Sequence, residues 1–331
     1  MAGAGGVVGP VVAVPSMRAA LIDGYGGSGR LEIREIERPR PGVGQVLVRV
    51  RAAAVNPLDW KIRRGEMRFI MPKRFPWVPG YDVAGVVEEI GVEVDQLAPG
   101  DAVHGIVQGG ACAEFALLDT GAAAMIPDGL SFEEAAAVPV GGLTAWQALV
   151  GRGELAQGEN VLVNGGAGGV GHLAVQIAAA LGAHVTAVAS GRHQDFLREL
   201  GAERTIDYES EDFTRDEETF DVVFDAAGTS SFRECDLILG EGGIYVTTAV
   251  GPLIFFHSLR GALSGLFGPA RRARWLTVKP KGEDLAAIDG LILRGKVRPR
   301  IDQICSLDEI RQAHDAGEAG HARGKIVLRV A

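Results

Sequence analysis

The run Gly165-Gly-Ala-Gly-Gly-Val-Gly stands between an apolar segment, Asn160-Val-Leu-Val-Asn, and a helical one, His172-Leu-Ala-Val-Gln-Ile-Ala-Ala-Ala-Leu-Gly. Gly166, Gly168 and Gly171 fit the spacing G-x-G-x-x-G, with Gly169 and Val170 completing the loop. In such a loop the first glycine permits a tight turn, the second lets backbone approach a pyrophosphate, and the third lets helix and strand pack closely. The following helix offers free N–H groups to phosphate oxygens. A lone G-x-G-x-x-G is a weak signal. Here a strand precedes it, a helix follows and another strand comes at the right spacing, which is the context of a dinucleotide-binding loop. A glycine-rich turn without a ligand is the plain alternative.

The second strand, His184-Val-Thr-Ala-Val-Ala, leads into Ser190-Gly191-Arg192. A carboxylate at that point would hold the 2′-hydroxyl of NAD and repel the 2′-phosphate of NADP. Ser190 and Arg192 would bond and neutralise the phosphate instead, so NADP(H) is the expected cofactor. Arg192 also reads simply as the opening of the next helix. Tyr208, after the third strand, is placed either to close over the same phosphate or to sit on the surface.

No Ser/His/Asp or Cys/His set forms a local motif, and the seven histidines are scattered, so none is assigned. Cys112, Cys235 and Cys305 lie too far apart for a disulfide framework or a four-thiolate zinc lobe, and free thiols fit a cytoplasmic setting. The net charge of −9 does not suit nucleic-acid binding, which depends on cationic contacts to phosphate.

These residues must be positioned by elements. A length of 331 residues predicts about two domains. Apolar residues make up 47% of the chain, which excludes disorder for its bulk. From Met17 to about Val138 the text reads as strands and turns, as in Gln45-Val-Leu-Val-Arg-Val-Arg-Ala, Asp82-Val-Ala-Gly-Val-Val-Glu-Glu-Ile and Asp101-Ala-Val-His-Gly-Ile-Val, and predicts an all-β, barrel-like segment. Ser131 and Glu134 predict a capped helix start. Strands then alternate with helices. The strands are expected at Asn160–Asn164, His184–Ala189, Arg204–Ile206, Asp221–Asp225, Gly243–Thr247 and Trp275–Val278. The helices are expected at Val170–Leu181, Arg192–Leu200 and Glu283–Arg294. Repeated βα units imply a parallel sheet covered on both faces. Asn160–Gly191 and Gly242–Leu259 lack Asp, Glu, Lys and Arg, but their turns and polar residues favour buried parallel strands over a transmembrane segment. Residues 1–16 carry no charge and read as a flexible tail.

The whole pattern resembles the medium-chain dehydrogenase/reductase superfamily, and most of all its zinc-independent quinone oxidoreductase branch. The matching stretches are Asn56-Pro-Leu-Asp-Trp-Lys-Ile-Arg-Arg-Gly, Val78-Pro-Gly-Tyr-Asp-Val-Ala-Gly-Val-Val, Pro99-Gly-Asp-Ala-Val, Gly141-Gly-Leu-Thr-Ala, the glycine loop, Ile206-Asp-Tyr and His321-Ala-Arg-Gly-Lys-Ile-Val. The resemblance implies an α/β protein with a GroES-like β-barrel catalytic domain, residues 17–138 and 296–331. It implies a doubly wound Rossmann NADP-binding domain, residues 139–295, and a homodimer. Zinc members carry Cys where this chain has Asn56, and Gly-His-Glu where it has Gly80-Tyr81-Asp82, so no zinc is expected. Asp82 then reads as a satisfied turn carboxylate.

The resemblance also assigns residues. Asn56 would sit beside the nicotinamide and donate its amide to a carbonyl. Lys61 would polarise the acceptor, or be a plain surface lysine paired with Asp59. Trp60 reads as cleft wall or stacking platform. Thr144, Thr248 and Val250 would meet the nicotinamide half and Ala227 and Gly228 the adenosine ribose, while Lys325, with Gly324 beside it, would approach the cleft and bind the cofactor. Between Glu241 and Glu283 there is no carboxylate, while Arg260, Arg271, Arg272, Arg274, Lys279 and Lys281 make a basic segment. It reads as a solvated face and interface, or as a dock for a phosphate-bearing acyl carrier, CoA or an anionic membrane. Phe256 and its apolar neighbours would cover a hydrophobic acceptor.

Three functions follow as expectations. The first is an NADPH-dependent reductase of quinones or α,β-unsaturated carbonyls. The second is an enoyl-thioester reductase of fatty-acid or polyketide assembly, favoured by the basic segment. The third is an NADPH-binding regulatory protein without catalysis.

Overall fold

A computed structural model describes residues 15–249 and 271–330. Val250, Phe256 and Arg260, with their neighbours and the first 14 residues, lie outside the described residues. Strand β1 (Ser16–Leu21) pairs antiparallel with β2 (Glu32–Glu37). The period-two segment at Gln45 forms β3 (Gln45–Val55), in which Arg49 and Arg51 face solvent while Val48 and Val50 are buried. From Ala52 to Val55 it is buried throughout, because further elements cover both faces. β4 (Asp82–Ile90) and β6 (Phe115–Asp119) pair with β3, β5 (Ala102–Ile106) pairs with β4, and β7 (Ala123–Met125) pairs with β5, all antiparallel.

This part is not all β. Helix α1 (Pro57–Arg63) stands between β3 and β4. Pro57 occupies the first helical position, where its missing N–H removes nothing, and the Asp59 carboxylate reaches back to the Asn56 N–H at 2.7 Å. The short α2 (Phe132–Ala136) has the expected start, Ser131 and Glu134 each bonding the other's backbone N–H.

After α3 (Pro139–Trp146) the chain enters βα alternation. It runs β8 (Asn160–Asn164), α4 (Gly171–Ala180), β9 (His184–Ala189), α5 (Gln194–Glu199), β10 (Arg204–Asp207), β11 (Phe220–Asp225), α6 (Phe232–Cys235), β12 (Leu239–Thr247), β13 (Arg272–Trp275) and α7 (Gly282–Leu293). The six strands form one parallel sheet ordered β10-β9-β8-β11-β12-β13. Counted from β8, that is 3-2-1-4-5-6, with the direction of winding reversing between β8 and β11, the place where such sheets bind ligands. The strand expected at Trp275–Val278 instead ends at Trp275. β13 is an edge strand, and Arg272 and Arg274 on it pair with Glu154, so the segment reads as polar although it is strand.

The last elements return to the first sheet. β14 (Ile301–Ser306) pairs parallel with β15 (Lys325–Arg329), α8 (Ile310–Glu318) lies between them, and β15 pairs antiparallel with β3. His104 on β5 ties the two parts together. Its Nε2 lies 3.0 Å from the Asp289 carboxylate of α7, and its Nδ1 lies 3.0 Å from the Ala135 carbonyl.

Close approach of β3 and β4 depends on Gly85. A Cβ there would stand 2.1 Å from the Arg49 carbonyl oxygen and 2.8 Å from Val48 Cγ1. Gly85→Ala should therefore destabilise the protein by about 1–3 kcal/mol in chemical denaturation. An unchanged midpoint would show that the strands can separate at no cost.

Candidate active site

A cleft of about 360 Å³ opens where the parallel sheet reverses. Its floor is the glycine loop and the tips of β9 and β11. Its far wall is Val55, Asn56, Pro57 and Trp60 at the start of α1, and its rim is the segment His321 to Ile326.

In the loop, the turn glycine is Gly165 rather than Gly166. Gly165 has φ +80°, and a Cβ on it would come within 2.9 Å of Ala227. The amides of Gly165 and Gly166 both donate to the Val188 carbonyl, which fastens the loop to β9. Gly166 faces Leu197, Ala187 and Val175, where it permits packing, and it does not line the cleft. Gly168, Gly169, Val170 and Gly171 do line it. A Cβ on Gly171 would stand 2.0 Å from the Gly165 carbonyl oxygen, so only glycine lets α4 begin there. With no side chains in the way and the unpaired amides of a helix start beside it, this cradle fits a dinucleotide pyrophosphate.

At one end of the cleft, buried Ser190 and exposed Arg192 follow β9, with His193 and exposed Tyr208 beside them. Burial and the neighbouring Arg192 and Arg323 hold His193 below the ordinary histidine range. The Asp207 carboxylate lies under Gly191, where a Cβ would meet Oδ2 at 2.6 Å, and its Oδ1 accepts the Glu209 N–H at 3.0 Å. Ala227 lines the cleft. Gly228 and Thr248 follow β11 and β12 without lining it.

The other end is built on buried polar groups. Asp82 opens β4 and is fully buried. Its Oδ1 accepts the Val140 N–H of α3 at 2.6 Å. Its Oδ2 accepts from Asn56 Nδ2 and from Lys325 Nζ, both at 2.9 Å. Lys325 Nζ also donates to Asn56 Oδ1 at 2.5 Å. Asp82 is thus satisfied, as a buried carboxylate must be, but by an ion pair at a strand start and not in a turn. Asn56 has no amide hydrogen left for a ligand, since Nδ2 donates to Asp82 and to the Ala54 carbonyl at 3.3 Å.

Three further expectations are corrected here. Lys61 is exposed on α1 and does not line the cleft, because helical spacing turns it away from Asn56 and Trp60. It forms no ion pair with Asp59, whose carboxylate is buried on the amides of Asn56 and Gly80 at 2.7 and 3.0 Å. Thr144 lies inside α3, donating to the Val140 carbonyl at 2.6 Å, and does not line the cleft. The basic segment is not wholly free, since three of its five described cations are paired within the chain. Arg271 meets Asp236, and Arg272 and Arg274 meet Glu154.

Trp60 is cleft wall. A Cβ on Gly317 of α8 would come within 2.7 Å of its ring. His193 and His321, unassigned from the sequence, both line the cleft. His321 stands four residues before Lys325 in a matching motif, which was the available signal. Among the described residues no three of His, Cys, Asp and Glu converge as a metal site, and no helix is long and apolar enough to cross a membrane.

Comparison with known proteins bears on this geometry. Residues 42–150 match the alcohol dehydrogenase GroES-like domain, and residues 200–328 match the zinc-binding dehydrogenase domain. The chloroplastic quinone-oxidoreductase QR1 of Triphysaria versicolor is 34% identical over 94% of this chain and 98% of its own. The chloroplastic NADPH-dependent alkenal/one oxidoreductase of Arabidopsis thaliana is 34% identical over 94% of this chain and 79% of its own. The structure of the quinone oxidoreductase from Coxiella burnetii superimposes with a TM-score of 0.84 at 34% identity, covering 96% of this chain and all of that one.

Burial pushes the Asp59 carboxyl up to about 7, more strongly than its two amide donors pull it down. In the unfolded chain it ionises near 4, so between about pH 4 and 7 the folded state holds the extra proton and stability falls as pH rises. Asp59→Asn should lower stability by facing its NH₂ toward an amide donor. It should also remove a pH-dependent loss on the order of 1–4 kcal/mol over that window. Melting temperatures of both proteins across the window test this, and parallel profiles would refute the shift.

Proposed function

The chain belongs to the medium-chain dehydrogenase/reductase superfamily, in its quinone oxidoreductase branch, and we propose that it is an NADPH-dependent reductase of quinones and α,β-unsaturated carbonyls that works without zinc. It is an oxidoreductase using a nicotinamide cofactor. A homodimer is part of the proposal, on the resemblance to the branch.

The observation that carries the reading is the cleft itself. A glycine cradle lies at the reversal of a 3-2-1-4-5-6 sheet, and a wall bearing Asn56, Trp60 and Lys325 faces it. The loop amides and the start of α4 would hold the pyrophosphate. Ser190 and Arg192, with Tyr208 beside them, supply a hydroxyl, an exposed cation and a ring where a 2′-phosphate would lie; β9 itself does not end in a carboxylate, and Arg192 offsets the Asp207 carboxylate under Gly191. When bound, the nicotinamide supplies a hydride.

The far wall supports a metal-free mechanism. A zinc site needs thiolate or imidazole donors. Here Asn56 and Asp82 are joined by an ammonium, which already holds the positive charge that a Lewis acid would bring. Such a site suits acceptors whose negative charge develops on an oxygen that a hydrogen-bond donor can reach, as in enones and quinones. Trp60 and Val55 give one side of the cleft an apolar surface. Carrier docking stays the second reading, although three arginines of the basic segment share two carboxylates, Asp236 and Glu154.

The test is an acceptor panel of quinones, enones and enoyl thioesters followed by NADPH absorbance. Quinones and enones should turn over, and treatment with a chelator should leave the rate unchanged. Arg192→Ala should weaken NADPH on the order of tenfold or more, the worth of a charge-assisted bond, and leave NADH nearly unaffected. Equal loss for both cofactors would sink the NADP assignment.

A further inference from the structure

We propose that Lys325 is a catalytic residue, its ammonium being the hydrogen-bond and proton donor to the carbonyl oxygen of the acceptor, with Asp82 and Asn56 as its positioning residues. The assignment rests on the reductase reading above. Four observations carry it.

Lys325 is only 3% exposed, yet it lines the cleft beside Asn56, Pro57, Trp60 and Gly169. Its position is fixed at both ends. Its backbone N–H donates to the Arg300 carbonyl at 2.9 Å, its stem lies over Gly169, where a Cβ would come within 3.2 Å of Cδ, and Nζ is held by Asn56 and Asp82. An ammonium has three N–H donors, and these two contacts use two of them. The remaining polar groups of this end are occupied, both Asn56 hydrogens by Asp82 and Ala54 and the Thr144 hydroxyl by Val140. The third N–H of Lys325 is therefore the cationic donor of this wall, beside the neutral indole N–H of Trp60. Asp82 provides the counter-charge a buried ammonium requires, so the donor is preorganised before any ligand arrives.

The step balances for an enone. Hydride adds to the β-carbon, the C=C pair shifts to join the α-carbon to the carbonyl carbon, and the carbonyl π pair moves to oxygen. As the O–H bond forms there, an N–H bond of Lys325 breaks. The neutral amine regains its proton from water, and the enol ketonises in solvent.

The experiment compares the wild-type chain with Lys325→Met, Asp82→Asn and the double variant K325M/D82N, on one quinone and one enone. NADPH affinity is read separately from quenching of tryptophan fluorescence, and folding from thermal melting. K325M leaves Asp82 buried without a counter-charge. The double variant removes both charges, keeps the fold and decides the matter if K325M does not fold. K325M or the double variant should lose kcat on the order of 10²–10³-fold, the cost of removing one preorganised donor, with NADPH affinity close to wild type. D82N should lower kcat with little change in KM, as expected when the donor is present but loosely aimed. The assignment is overturned if the loss appears wholly in NADPH affinity, which would make Lys325 a cofactor ligand, or if the folded double variant keeps wild-type kcat. Wild-type protein inert toward both acceptor classes would sink the reductase reading and this assignment together. An active wild type matched by an active variant sinks only the assignment.

Discussion

A carboxylate buried without any exposed surface is the constraint on which the far wall of the cleft depends. Asp82 opens a strand of the β-rich sheet, accepts the first free amide of α3, and receives donors from Asn56 and Lys325. Desolvating such a group costs several kcal/mol, and only well-placed donors offset it. Four parts of the chain must therefore converge before Asp82 is satisfied: the end of β3 and the starts of β15, β4 and α3. Their convergence is also what builds the wall facing the glycine loop. The same residue that is costly to bury thus keeps the ammonium charged groups of the wall in register.

The cradle opposite is governed by sterics instead. Gly165 must turn with positive φ, and Gly171 must leave room for the Gly165 carbonyl. The positive φ and the Gly165–Gly171 approach lie within seven residues, and Ala227 adds the one distant contact that excludes a Cβ on Gly165. One further contact links the two sides, the Gly324 N–H donating to the Ala167 carbonyl at 2.9 Å, so the rim segment rests on the loop itself.

This contrast explains what was legible in the sequence. The glycine loop, the strand–helix alternation and the Ser131–Glu134 cap depend on neighbours a few residues away, and local spacing records them. The start of α1 was equally local, in Pro57 and Asp59, but a run of strands on either side masked it. The Asp82–Lys325 pair left no such trace. Its members stand 243 residues apart, and although the resemblance brought Lys325 to the cleft, nothing in the spacing named Asp82 as its partner. Lys61, by contrast, looked functional from its distance to Asn56 along the chain, whereas helical geometry sends it outward. The arginines of 271–274 read as a free basic field because Glu154, which pairs with two of them, lies far upstream.

The antiparallel pairing of β15 with β3 has a consequence for how the molecule is made. Asn56 and Lys325 are separated by 269 residues, so during synthesis the N-terminal sheet must wait through most of translation for its inner strand neighbour. Until then the Ala52–Val55 half of β3 presents an open edge, and Asp82 lacks Lys325. The parallel sheet is complete in sequence at Trp275, before β15 begins at Lys325, so its strands can pair first. Ribosome-bound chains should therefore pass through a stage with a formed nucleotide cradle and an unfinished opposite wall, when chaperones would have most to protect.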